Sequence, residues 1–170
     1  CFPIINNAVG GESTREVMNR FDRDILPYSP DFCLFMVGGN NHDCQNPSRI
    51  LADGELQSLL DSFVSRLPTR TKPVGAVLNP VVDEWHFATK HPAFMDYLRS
   101  FNGSLDASLN AEREFARSFY IQHGWPYLDL YALMSDDPAK YVLPEDGIHM
   151  NKTGHDLFAR EMFQLVEDLL

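Results

Sequence analysis

The segment DFCLFMVGGNN, residues 31–41, is a continuous apolar run that stops at two glycines and two asparagines. A run without polar alternation predicts a strand covered on both faces, not one lying on a half-solvated sheet. Such a strand needs helices above and below it, and the flanking sequence carries their signature. Upstream, Ser13 and Glu16 stand at capping-box spacing, where each side chain satisfies a free backbone donor of the other at a helix start. Val17, Phe21 and Ile25 then recur at helical intervals, and Pro27 marks the stop. Downstream, Leu56, Leu59, Leu60, Phe63, Val64 and Leu67 form one apolar stripe that ends at Pro68.

The alternation continues along the chain. FPIINNAV (2–9), VGAVLNPVV (74–82) and YLDLY (127–131) predict three further strands. One or two helices are expected between Pro92 and His123, the second marked by Leu109, Phe115, Ala116, Phe119 and Tyr120. A last helix starting near Thr153 carries Phe158, Met162, Leu165, Val166 and Leu169 on one side. Met36, Met95, Met134 and Met162 fall on apolar stripes and are expected in the core. Strand–helix repeats of this size imply an α/β fold, a parallel sheet with helices on both faces. Right-handed crossovers place the strand C-terminal ends on one edge, where open α/β sheets bind ligands. The polar loops NNAVGGES, GGNNHD and LNPVVDEWH all follow strands and are expected to converge there. No repeat, linker or low-complexity run divides residues 1–170, which read as one domain.

Composition narrows the classes of function. The formal net charge is -10 and no Lys/Arg-rich run is present, which argues against a nucleic-acid partner. No apolar run approaches the roughly 18 residues of a membrane span. Of the three cysteines, Cys33 lies in the apolar run and is expected to pack as a small hydrophobe. Cys1 and Cys44 are available to pair in an oxidising compartment, and the sequence leaves that open. Asn102-Gly103-Ser104 and Asn151-Lys152-Thr153 are formal N-glycosylation triplets and lean slightly towards an extracytoplasmic location.

Three loops carry residues suited to chemistry. Gly10-Gly11 sits between a strand and a capped helix; it reads either as a tight turn or as a place where backbone N–H groups meet an anion. In Gly38-Gly39-Asn40-Asn41 an amide donor stands just past a strand, as a turn former or as a donor to a developing oxyanion. Asp146-Gly147-Ile148-His149 places a carboxylate three residues before an imidazole. A carboxylate on one ring nitrogen fixes the tautomer and leaves the other nitrogen to move a proton. The alternative is a solvated polar loop ahead of a helix. Trp85 and His86 follow a strand and are candidates for lining a substrate pocket, with plain packing equally open. His42-Asp43-Cys44 has metal-ligating residue types, but three consecutive side chains do not readily face one ion.

Taken in order, these loops resemble the blocks of the SGNH (GDSL-type) hydrolase superfamily. NNAVGGEST is similar to the glycine block, with Gly11 in the glycine position. VGGNN is similar to the block written GxND, with Asn40 as its Asn and Asn41 in place of the usual Asp. DGIHMNKTGH resembles the DxxH block, with Asp146, His149 and the following Asn151 and Gly154 all in position. The resemblance implies a flavodoxin-like three-layer α/β/α domain. It implies an ester hydrolase with His149 and Asp146 in a Ser-His-Asp triad and an oxyanion hole from Gly11 and Asn40. It implies no metal and no organic cofactor. Asn41 joins Trp85 and His86 as a candidate substrate contact, and the expected partner is a small ester, a lipid or an acylated carbohydrate. The family's Gly-Asp-Ser block, which carries the nucleophile on the first strand, is absent from the 170 residues. Ser13 reads as a helix cap instead. The expectation is therefore that these residues are the C-terminal portion of a longer hydrolase whose N-terminal segment brings the serine. A sheet without that strand should expose apolar surface beside the gap.

Overall fold

A computed structural model describes residues 3–36 and 38–170. They cluster in two compact units, Cys1–Cys33 with Val37–Lys72, and Leu34–Met36 with Pro73–Leu170.

The first unit is built on helices. Helix α1 (Thr14–Asn19) starts at Ser13, whose side chain accepts from the Glu16 N–H while Glu16 reaches back to the Ser13 N–H, the capping box expected from the sequence. The helical stripe predicted to run on to Ile25 is broken at Arg20, and α2 (Phe21–Asp24) follows. Arg20 explains the break: its guanidinium bonds Glu12, Asp24 and the Asn7 carbonyl, and so fastens the turn to three separate points. Helix α3 (Glu55–Arg66) follows the Leu/Phe stripe as expected and packs on α1. Phe21 meets Phe63 edge-to-face at 5.3 Å between ring centroids.

The described part of the segment predicted as a strand at 2–9 is not one. Residues 3–9 join no ladder, and Ile4 and Ile5 are 90% and 53% exposed. A local side chain takes one backbone donor instead, as Asn6 accepts from the Ala8 N–H, while the Asn7 side chain ties the segment to the Asp24 carbonyl. Such bonds compete directly with strand pairing.

Most of the sheet lies in the second unit. Strands β1 (Phe32–Phe35), β2 (Lys72–Val77) and β3 (Tyr127–Asp129) lie in the order β1-β2-β3, and β2 pairs with β3 in parallel from Gly75↔Tyr127 to Val77↔Asp129. The both-faces expectation for the 31–37 run is corrected here. Cys33 and Phe35 are buried, whereas Leu34 and Met36 are 46% and 37% exposed. Side chains alternate across a strand, so Leu34 and Met36 share its more exposed face.

Helix α4 (Pro92–Leu98) turns Phe94 and Leu98 inward. Met95 lies on its outer side and is exposed, unlike Met134 and Met162, which are buried as expected. The short α5 (Leu105–Ser108) and the longer α6 (Asn110–Gln122) follow. From α6, Tyr120 lies across the sheet, and its hydroxyl donates towards the Ala76 and Phe35 carbonyls at 3.3 and 3.4 Å. Gly75 makes room for it, since a Cβ there would stand 2.6 Å from the ring.

Two predicted strands end early. Residues 78–82 leave the sheet at Asn79-Pro80, where Pro80 has no N–H to give a ladder. Strand β3 stops at Asp129 because that carboxylate caps α7 (Leu130–Met134) and pairs with Arg117 at 2.6 Å. Helix α8 (Lys152–Glu167) closes the chain as predicted.

Candidate active site

The Asp146–His149 loop is built from both of its ends. On its C-terminal side, the Asn151 side chain accepts from the Gly154 N–H and so caps α8. The Asn151 amide donates to the Lys140 and Val142 carbonyls, both at 3.0 Å. Gly154 lets the helix start lie against the Tyr141 carbonyl, which a Cβ would meet at 2.4 Å. These contacts give Asn151 and Gly154 a structural reason, and they engage the amide of the second glycosylation triplet. Val142 bridges Met150, and the Leu143 N–H donates to the His149 carbonyl at 2.8 Å, so residues 143–149 form a closed loop.

Within that loop, Asp146 Oδ1 accepts the N–H groups of Ile148 and His149, both at 2.9 Å. The other oxygen, Oδ2, lies 2.8 Å from His149 Nδ1. Burial pushes the Asp146 pKa up, but the two N–H donors and the imidazole outweigh it and hold the carboxyl below its usual value. A carboxylate accepts only, so the bond assigns the ring proton to Nδ1 and leaves Nε2 for a reacting group. The His149 side chain is 78% exposed, so Nε2 is accessible.

Gly147 makes the loop possible. Its φ is +71°, and a Cβ there would stand 2.5 Å from the Val82 carbonyl oxygen and 2.9 Å from Trp85 Cβ. The loop is thus pressed onto residues 82–86, which brings Trp85 and His86 beside Asp146 and His149. His86 is buried, and its Nδ1 accepts from the Ala88 N–H at 3.0 Å. Burial lowers the His86 pKa against the pull of Asp146 and Asp83, which favours the neutral ring. Asn79 joins the same contact and donates from Nδ2 to the Ile148 carbonyl at 2.8 Å. Sequence reading gave Asn79 no role because it placed residues 78–82 inside a strand. The one signal was an Asn directly before a Pro in a loop that follows a strand.

Gly11 and Asn40 belong to the first unit and lie next to each other. Gly11 is an exposed turn residue with φ +83°, and Asn40 Nδ2 donates to the adjacent Glu12 carbonyl at 3.3 Å. Asn41 is fully buried, and its Oδ1 accepts the Thr14 N–H at 3.0 Å, which ties this loop to the start of α1. Ser13 is buried and its hydroxyl is held by Glu16 at 2.9 Å, the environment of a cap. Asp43 is engaged by Arg49, which also bonds Glu16. Cys33 is buried, and its thiol is pushed up to about 11 by that burial. The possible Cys1–Cys44 pair involves Cys1, which lies outside the described residues. No helix among the described residues is long and apolar enough to cross a membrane.

Comparison with known proteins assigns the chain to a family. The profile of the GDSL-like Lipase/Acylhydrolase family matches residues 2–157. No curated protein matches the chain. Among solved structures, a GDSL-like lipase from Bacteroides thetaiotaomicron is 15% identical with a TM-score of 0.68, over 94% of this chain and 73% of that one. A lipase/acylhydrolase from Enterococcus faecalis is 17% identical with a TM-score of 0.66, over 94% and 73%. An acetyl xylan esterase from Geobacillus stearothermophilus is 15% identical with a TM-score of 0.71, over 95% and 71%. At these identities the likeness is one of fold, which agrees with the α/β reading of the sequence. Since the family profile spans almost the whole chain and includes the Asp146–His149 loop, this protein belongs to the GDSL-like lipase/acylhydrolase family.

Proposed function

We propose that the complete protein hydrolyses esters by acyl transfer through a serine, with His149 as the proton carrier and Asp146 as its orienting carboxylate. One observation carries this reading. Asp146 holds the His149 ring at 2.8 Å while its other oxygen is fixed by two backbone N–H groups. A carboxylate anchored in that way sets both the tautomer and the direction of the imidazole.

The serine is proposed to come from a segment outside the 170 residues, which contain no Gly-Asp-Ser. Its hydroxyl attacks the ester carbonyl as Nε2 of His149 takes the proton. Collapse of the tetrahedral intermediate expels the alcohol, which receives that proton. Water then attacks the acyl-serine with His149 again as base, and the acid leaves. The oxyanion role goes to the Gly11 N–H and the Asn40 amide, each a donor of the kind that stabilises a developing alkoxide. Family membership and the lipase and acetyl xylan esterase neighbours support a lipid or an acylated carbohydrate as the substrate class.

The complete protein is expected to turn over p-nitrophenyl acetate with saturable kinetics well above the uncatalysed rate. A folded complete protein that turns over neither this ester nor an acetylated xylooligosaccharide nor a short-chain lipid ester would support a binding role in place of catalysis.

A further inference from the structure

The segment Leu78–Asp83 runs between the sheet and the Asp146–His149 loop, and it is gripped from below by a buried ion pair. Arg113 is 1% exposed in its side chain and pairs with Asp106 at 2.7 Å. Its guanidinium donates to the carbonyls of Leu78 (3.3 Å), Asn79 (2.8 Å) and Asp106 (2.9 Å), to Asp106 Oδ1, and to Asn110 Oδ1 (2.9 Å). Five N–H donors thus meet five acceptors, the full capacity of the group. The same guanidinium lies 4.3 Å from the Tyr131 ring centroid. Asp106 Oδ1 also accepts the Val81 N–H at 2.7 Å. Asp83 then fixes the far end of the segment by accepting the Leu105 N–H at 2.7 Å and the Asp106 N–H at 3.1 Å.

So much buried polar structure costs desolvation unless every group is satisfied, and here the bonds converge on one short piece of backbone. What that segment presents upward is two donors. The Val82 N–H donates to the Gly147 carbonyl at 2.8 Å. Asn79 Nδ2 donates both to Ile148, at 2.8 Å, and to its own neighbour Pro80, at 2.9 Å. Gly147 and Ile148 are the two residues between Asp146 and His149, so these donors fix the backbone that sets the acid–base distance.

We propose that Asn79 is a positioning residue for His149, and that the Arg113–Asp106 pair exists to hold Asn79 and the Val82 N–H under the loop. The proposal rests on the acid–base reading of Asp146 and His149 given above. Without the Nδ2 donor, the Ile148 carbonyl loses its partner and the loop is free to rotate the ring away from Asp146. Placement errors of about 1 Å reduce rates by up to roughly a hundredfold.

The test uses the complete protein with ¹⁵N-labelled histidine, in wild type and in Asn79→Ala and Asn79→Asp. The second variant keeps the shape and removes the donor. Ring ¹⁵N shifts report which nitrogen of His149 carries the proton and need no turnover. The expected result is a His149 ring with its proton on Nδ1 in wild type that moves towards a tautomer mixture in both variants. With it, kcat on p-nitrophenyl acetate falls about ten- to a hundredfold, while KM stays within about twofold. Unchanged ring shifts in a folded variant overturn the proposal whatever the rate does. If neither variant folds, the network is a determinant of folding and the positioning role is likewise overturned. A wild type that shows the Nδ1 tautomer but hydrolyses no ester overturns the ester reading, and the ring shifts of the variants still decide this one.

Discussion

His149→Ala in the complete protein is expected to lower kcat for a short ester by at least about a thousandfold and to leave the fold intact. The first half follows from chemistry. A serine hydroxyl is a weak nucleophile at neutral pH, and the imidazole is the group that takes its proton. The second half follows from packing. The ring is 78% exposed, so its loss empties no core. Asp146 Oδ1 keeps the Ile148 and His149 N–H donors, which belong to the backbone, so the loop retains its anchor. Asp146→Asn is the companion change. Its amide nitrogen in the Oδ2 position would present a donor to Nδ1 and favour the opposite tautomer, with a loss of about ten-thousandfold at neutral pH. Comparable rates for His149→Ala and wild type would remove His149 from the mechanism.

Gly147→Ala is the second large effect, and here stability and activity fall together. The residue has φ +71°, a conformation that costs a side-chain-bearing residue about 1 kcal/mol or more. Its Cβ would also stand 2.5 Å from the Val82 carbonyl and 3.1 Å from the His86 nitrogen, both backbone atoms that cannot rotate aside. Relieving that overlap means lifting the loop off residues 82–86, which breaks the bond between the Val82 N–H and the Gly147 carbonyl. Strain and overpacking together amount to about 2–5 kcal/mol. For a domain of this size that lowers Tm by roughly 5–15 °C. A thermal melt within about 2 °C of wild type would show that the loop is not seated as described.

The contact between Asp146 and His149 was legible in the sequence because its geometry is local. Three residues separate Asp146 from His149, and the loop closes on itself. The capping box at Ser13 and Glu16 and the stripes of α3 and α8 were legible for the same reason: the partners are neighbours in the chain. What failed were details that depend on a distant partner, although the parallel pairing of β2 and β3 was foreseen from the strand–helix alternation. Residues 32–36 are apolar throughout, yet Leu34 and Met36 are exposed, because apolarity does not record how far a face is covered. The 2–9 segment has strand composition, yet its described residues 3–9 join no ladder. Met95 falls on an apolar stripe but on the outer side of a seven-residue helix. Asn79 reaches a carbonyl 69 residues away, and no spacing rule points to that bond. Nothing in the sequence marks Arg113 as buried, and only the folded chain shows its five acceptors.

Treating the complete protein with a fluorophosphonate that traps activated serines, then mapping the adduct by peptide mass, tests the central claim most directly. One adduct is expected, on a serine outside the 170 residues described here, and it should be lost in His149→Ala. An adduct on Ser13 or on another serine within these residues, or labelling that is equally strong without His149, would contradict the account.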